Sequence, residues 1–286
     1  MQTYARDAEV QESASKALGS LCKGCKARRD EALSLGGLTL VIQALKGHPE
    51  QAILQAHGCF ALSMMCWQCH NSKAEAFSLG GIELLIKAMQ DHHGNSSVQF
   101  YASSALASMC HGAEECRRRA LALGALELLL QILQHVTDPG VLTRCSEAVG
   151  SICFGFSTAA LERQAHAIGL GAFDLIVKAL PRAPCSSDYI CFWALGCLCS
   201  GSDEAAVACR RRAVDLGVLE QVQLMLEHEI DLQEEGRAVL DLFLTTPTGE
   251  QAAKTASHQL VTASCEGPVC VEEASASSSG HQLGDQ

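Results

Sequence analysis

The chain has 286 residues, 48% hydrophobic and 19% charged, a globular composition long enough for one large or two ordinary domains. A formal net charge of −11 argues against a nucleic-acid-binding surface, because that affinity rests on clustered Lys and Arg. No apolar run reaches the roughly 18 residues of a membrane-spanning helix, and with aromatics at 5% the core falls to Leu, Ala, Val, Ile, Met and Cys, which suit close helix packing.

The first stretch, "MQTYARDAEV", carries acids and no apolar core, so it does not read as a signal peptide. The 16 cysteines are therefore read as thiols of a reducing compartment, cytoplasmic or also nuclear, rather than as a disulfide framework. Residues 10–22 read as a helix closing on "SASKALGSLC". Next, "KARRDEALS" has the composition of a short helix that the following glycine ends by taking the left-handed conformation cheaply. A second helix follows, with Leu38, Val41, Ile42 and Leu45 at spacings of three and four. After a loop holding Pro49, "HGCFALSMMC" carries a third helix to Cys66.

The set then recurs. "LSLGGLTLVIQAL", "FSLGGIELLIKAM", "LALGALELLLQIL", "IGLGAFDLIVKAL" and "VDLGVLEQVQLML" place Gly36, Gly80, Gly124, Gly171 and Gly217 at intervals of 44 to 47 residues. Cys22, Cys66, Cys110, Cys153 and Cys199 keep step at 43 to 46. Two landmarks in phase define a repeat of three helices, a unit that buries its apolar faces only by stacking on its neighbours. Asp138-Pro139 reads as a helix cap followed by proline at the first helical position. Small residues in the third helices, at Ala17-Leu18, Ala61-Leu62, Ala105-Leu106, Ala148-Val149 and Ala194-Leu195, permit close approach between them.

This pattern resembles the armadillo repeat, a three-helix unit with glycine between its first two helices and "A-L-x-N-L" near the end of the third. HEAT repeats overlap in period but lack the separate first helix and this glycine placement. The resemblance implies an all-α, right-handed superhelical solenoid over residues 1–244: a partial repeat at 1–22 and full repeats at about 26–66, 72–110, 114–154, 160–199 and 203–244. The partial repeat is expected to belong to a longer product or to be capped by residues 1–9. Residues 245–286, rich in Ser, Thr and Ala, read as a mostly disordered tail.

In the armadillo family the third helices line a concave groove that binds extended peptides. Carrying over the family's peptide-clamping Asn gives Ser20, Met64, Ser108, Ser151, Cys197 and Asp241, none of them Asn. The Trp that accompanies it in nuclear-import receptors falls on Lys16, Phe60, Ser104, Glu147, Trp193 and Arg237, where Trp193 matches. The same helical stripe extends to His57, Tyr101 and Arg144. The expected partner-binding groove is thus His57, Phe60, Met64, Tyr101, Ser108, Arg144, Glu147, Ser151, Trp193, Arg237 and Asp241. Packing between neighbouring repeats is the competing reading for Phe60 and Trp193.

The resulting expectation is a non-enzymatic scaffold or adaptor for a protein or peptide partner, with no nucleic-acid binding, membrane insertion or cofactor. A nuclear-transport adaptor and a thiol-rich metal or redox protein are the alternatives, and self-association through the incomplete first repeat stays open. No catalytic or metal-ligating residue is assigned: "SLGGL" lacks the Lys and Ser/Thr of a nucleotide loop, and no G-x-S-x-G elbow occurs. In "MCWQCH", Cys66, Cys69 and His70 fall within one helical turn and raise the question of a local metal, against a packing role for buried thiols. "CRRRA", at residues 116–120 and 209–213, is expected to be a solvated outer face.

Overall fold

The computed structural model describes residues 1–180, 188–201, 204–218 and 220–222. Among these the chain is all-helical, without strands. Helix α1 (Ala8–Cys22) is followed by four triplets: α2 (Lys26–Ser34), α3 (Gly37–Gly47) and α4 (Ala52–Cys66); α5 (His70–Ser78), α6 (Gly81–Asp91) and α7 (Ser96–Cys110); α8 (Glu114–Ala122), α9 (Ala125–His135) and α10 (Pro139–Cys153); α11 (Thr158–Gly169), α12 (Ala172–Ala179) and α13 (Asp188–Cys199). Helix α14 (Glu204–Asp215) opens a further unit. Most of the expected repeat at 203–244, the tail at 245–286, Arg237 and Asp241 lie outside the described residues.

The short first helices end where the sequence places glycine. Gly36, Gly80, Gly124 and Gly171 have φ between 74° and 83°, a left-handed turn that a Cβ would strain. Each second helix then buries one stripe, Leu38, Val41, Ile42 and Leu45 in α3, Ile82, Leu85, Ile86 and Met89 in α6, and Leu126, Leu129, Leu130 and Leu133 in α9. Full burial of such side chains stabilises by roughly 1.5–3 kcal/mol each. Third helices begin on side-chain caps: Asp7, Asn95 and Asp138 accept from the backbone N–H of Val10, Val98 and Val141 at 3.2, 3.0 and 3.0 Å, and Pro139 opens α10. Helices α5 and α11 start at His70 and Thr158, two residues ahead of 72 and 160, with Cys69 and Ser157 as N-caps.

A glutamine one turn into the third helix ties it to the second. The Gln55 Nε2 donates to the carbonyls of Leu45 and His48, both at 2.9 Å, and that of Gln99 to Met89 and His92 at 2.8 and 3.1 Å. These are helix-end carbonyls with no partner inside their own helix. Gln11 donates in the same way to Met1 and Tyr4, at 2.9 and 2.8 Å. Residues 1–4 therefore supply to α1 the carbonyls that a second helix supplies to α4 and α7.

The third helices pack side by side in the order α1, α4, α7, α10, α13. Large side chains face small ones across these contacts. A Cβ on Gly19 would come within 2.5 Å of the Phe60 ring, and one on Gly150 within 2.8 Å of Trp193 Cζ3 and 2.9 Å of Ala194 Cα. Between those two places the pairing is polar, with Ser63 Oγ 3.1 Å from both Ser104 Oγ and Ser108 Oγ. Phe60 and Trp193 thus pack between neighbouring repeats.

A turn separates each third helix from the next first helix. Gly24 and Gly112 occupy it with φ of 66° and 71°, while Gln68 holds the same place at φ 52°. A side chain there costs about 1 kcal/mol or somewhat more. Gln68→Gly is expected to raise stability by about 0.5–1 kcal/mol, read as an upward shift of the thermal midpoint. An unchanged or lowered midpoint would contradict this.

Candidate functional site

The layer of third helices carries the described members of the expected groove, and they divide into an aromatic cluster, a small polar floor and a second aromatic group. Near the N-terminal ends, Phe60 and Tyr101 are 5.2 Å apart between centroids, and Phe100 meets Tyr101 edge-on at 5.0 Å. The Arg144 guanidinium lies 5.3 Å over the Phe100 ring and is paired with Glu147 at 2.8 Å. Both polar side chains are well buried, and each satisfies the other, as a buried charge requires. His57 Nδ1 lies 3.5 Å from Glu12 Oε1, long for a hydrogen bond. Burial lowers the pKa of His57, with Glu12 opposing.

The floor is made of small residues. Ser108 is 2% exposed and its hydroxyl is paired with Ser63, Ser151 is equally covered, and Met64 is 9% exposed. His57, Phe60, Tyr101 and Glu147 are the part-exposed described members of the set, whereas Arg144, Ser108, Ser151 and Trp193 are buried.

The second aromatic group runs along the C-terminal ends of the third helices. Trp67 stacks on His111 with centroids 6.5 Å apart, and His111 on Phe154 at 6.0 Å. Trp193 closes the group, 6.1 Å from His111 and 6.3 Å from Phe154. Burial drives the pKa of His111 down to about 4, with Lys73, Arg117 and His70 adding to the shift. Sequence reasoning missed Trp67, His111 and Phe154, although a signal existed: each follows an in-phase cysteine, as Lys23 and Ser200 also do.

The basic segments of the first helices hold a second unforeseen feature. Seven residues before each marker glycine stand Arg29, Lys73, Arg117, Gln164 and Arg210, all but Arg210 in the buried class. Arg117 Nε donates to the carbonyls of Cys110 and Ser151 at 2.9 and 3.1 Å, bridging the ends of α7 and α10. Lys73 donates to the His111 carbonyl, Gln164 to those of Cys153 and Gly155, both at 3.0 Å, and Arg210 to Cys199 and Gly201. A cation or amide here meets orphan carbonyls at the negative end of a helix. The reading of "CRRRA" as a solvated outer face is therefore corrected at Arg117, which is 7% exposed. It holds for Arg118 and Arg119, whose side chains are 72% and 45% exposed and pair with Glu115 and Glu83.

In the "MCWQCH" segment Cys66 is fully buried, its thiol directed to the Ser72 carbonyl at 3.8 Å, while Cys69 and His70 start the next helix. Among the described residues no group of three or more His, Cys, Asp or Glu side chains is placed to hold a metal ion, so Cys66, Cys69 and His70 do not converge. Every described cysteine is a free thiol. Burial pushes Cys59, Cys145 and Cys153 up to about 12 and Cys116 to about 11, so these remain protonated at neutral pH. Cys25 is lowered, chiefly by the backbone N–H of Arg28 at the start of α2.

No protein-family model and no curated protein matches the chain. Among solved structures it is similar to an engineered protein, at TM-score 0.67 and 24% identity over 84% of this chain and 94% of that one. It is also similar to a designed armadillo repeat protein, at TM-score 0.64 and 18% identity over 81% and 92%. A designed armadillo repeat protein in complex with the peptide (KR)4 gives 0.61 and 18% over 84% and 99%. The protein has an armadillo-like helical repeat fold. Among the described residues no helix is long and apolar enough to cross a membrane.

Proposed function

We propose that the chain is a non-enzymatic scaffold or adaptor that binds an extended segment of a partner protein in a groove lined by its third helices, in the cytoplasm or nucleus. The observation that carries the reading is the continuous layer α1, α4, α7, α10, α13, with part-exposed His57, Phe60 and Tyr101 beside each other on adjoining helices. Aromatic residues dominate binding energy where a surface offers them. The peptide complex of a designed armadillo repeat protein with the same fold supports an extended occupant. Glu12 and Glu147 face His57 and Arg144, which favours a partner other than a strongly basic signal and sets the nuclear-transport reading second.

Selection from a random-peptide display library on the immobilised protein tests this. Enriched peptides should bind in solution, and His57→Ala with Tyr101→Ala should weaken them by about tenfold or more while the helical circular dichroism is retained. Failure to enrich any peptide, or full affinity in the double variant, would overturn the proposal.

A further inference from the structure

The second aromatic group contains a hydrogen-bond donor that the fold leaves unused. Trp193 is 4% exposed, and its Nε1 has no hydrogen-bond partner, although buried indole N–H groups usually find one. Its Cζ3 edge rests against Gly150, so the N–H, on the opposite edge of the ring, points away from α10. Phe154, His111 and, beyond it, Trp67 stand around that ring at centroid distances of 6.0 to 6.5 Å.

The charges near this group are already committed. Arg117 donates to two carbonyls and lies 5.4 Å over the Phe154 ring, Lys73 donates to the His111 carbonyl, and Arg163 is paired with Glu114. Burial keeps the His111 imidazole neutral near pH 7. A fitting ligand is therefore uncharged, presents ring surface, and offers an acceptor. Proline in a polyproline II segment meets each condition: an apolar ring, no backbone N–H, and carbonyls free of internal hydrogen bonds. Aromatic-lined grooves grip such segments because their low entropy leaves little ordering cost on binding.

Resting on the groove reading above, we propose that the partner segment is proline-rich and lies along the ends of the third helices, with prolyl rings on Trp67, His111 and Phe154 and a carbonyl accepting from Trp193 Nε1. The alternative occupants, a basic or a flexible polar segment, become arms of the test.

The chain has two tryptophans, and both belong to this group, so the two indole N–H signals of a nitrogen–proton correlation spectrum report on it directly. Titration with a capped oligoproline of about nine residues, three turns of polyproline II, should move the Trp193 indole signal downfield to saturation. Capped Lys-Arg and Gly-Ser peptides of the same length should leave it in place. Trp193→Phe, which keeps a ring over Gly150, should weaken oligoproline binding by about tenfold or more with unchanged circular dichroism. An unmoved indole signal under oligoproline, while library-selected peptides without proline bind, overturns the proline assignment and leaves the groove reading standing. Full oligoproline affinity in Trp193→Phe also overturns the assignment. A library that yields no binder overturns both.

Discussion

Arg117→Ala is expected to destabilise the protein by about 3 kcal/mol, while Arg118→Ala changes stability by less than about 0.5 kcal/mol. The two arginines are adjacent in "CRRRA" and differ in what surrounds them. Removing Arg117 leaves the carbonyls of Cys110 and Ser151 without their donor, and a buried polar group stripped of its partner costs about 1–3 kcal/mol. The contact with the Phe154 ring at 5.4 Å is lost as well, a further fraction of a kcal/mol to about 2. Glu114 is not orphaned, because Arg163 still holds it with bonds of 2.6 and 3.1 Å. Arg118 pairs with Glu115 in solvent, where such pairs contribute little. Chemical unfolding followed by circular dichroism measures both, and equal midpoints for the two variants would contradict the assignment. Arg117→Lys should recover part of the loss, since Lys73 occupies the equivalent place one repeat earlier.

The second large effect is a loss of stability in mild acid that passes through His111. Its folded pKa is down to about 4 from an ordinary 6.5, so between these values the unfolded chain binds a proton that the folded one does not. Stability from this group is complete above pH 6.5, falls as the pH is lowered, and is fully lost below about pH 4. Each pKa unit corresponds to about 1.4 kcal/mol, which makes the total about 3 kcal/mol. His111→Phe keeps a ring between Trp67 and Phe154 and retains the backbone carbonyl that Lys73 uses. Its unfolding midpoint should be flatter than that of the parent between pH 6.5 and 4. Parallel profiles for the two proteins would refute the role given to His111.

The repeat was legible because two physical requirements recur at a fixed interval. Marker glycines are needed where the chain reverses with positive φ, and apolar stripes at spacings of three and four are needed to bury the second helix. Both are local properties of the chain and can be read without a structure. The groove was legible only as a set of positions. Helical periodicity places Arg144, Ser108, Ser151 and Trp193 on the stripe shared with His57 and Tyr101, but it does not say how closely the next helix approaches. That distance depends on Gly19 and Gly150, whose missing side chains let Phe60 and Trp193 sink between the repeats.

The sequence by itself determined the all-helical class, the three-helix unit and its phase, since these follow from dihedral preference and hydrophobic period. Tertiary structure decided which polar residues are buried and what they hold. Arg117 and Arg118 differ in burial because a helix turns about 100° per residue, and only the packed neighbours on the Arg117 side supply helix-end carbonyls to receive it. In the same way, the residue after each in-phase cysteine became part of an aromatic group only because stacked repeats bring Trp67, His111 and Phe154, far apart in the chain, within ring-to-ring contact.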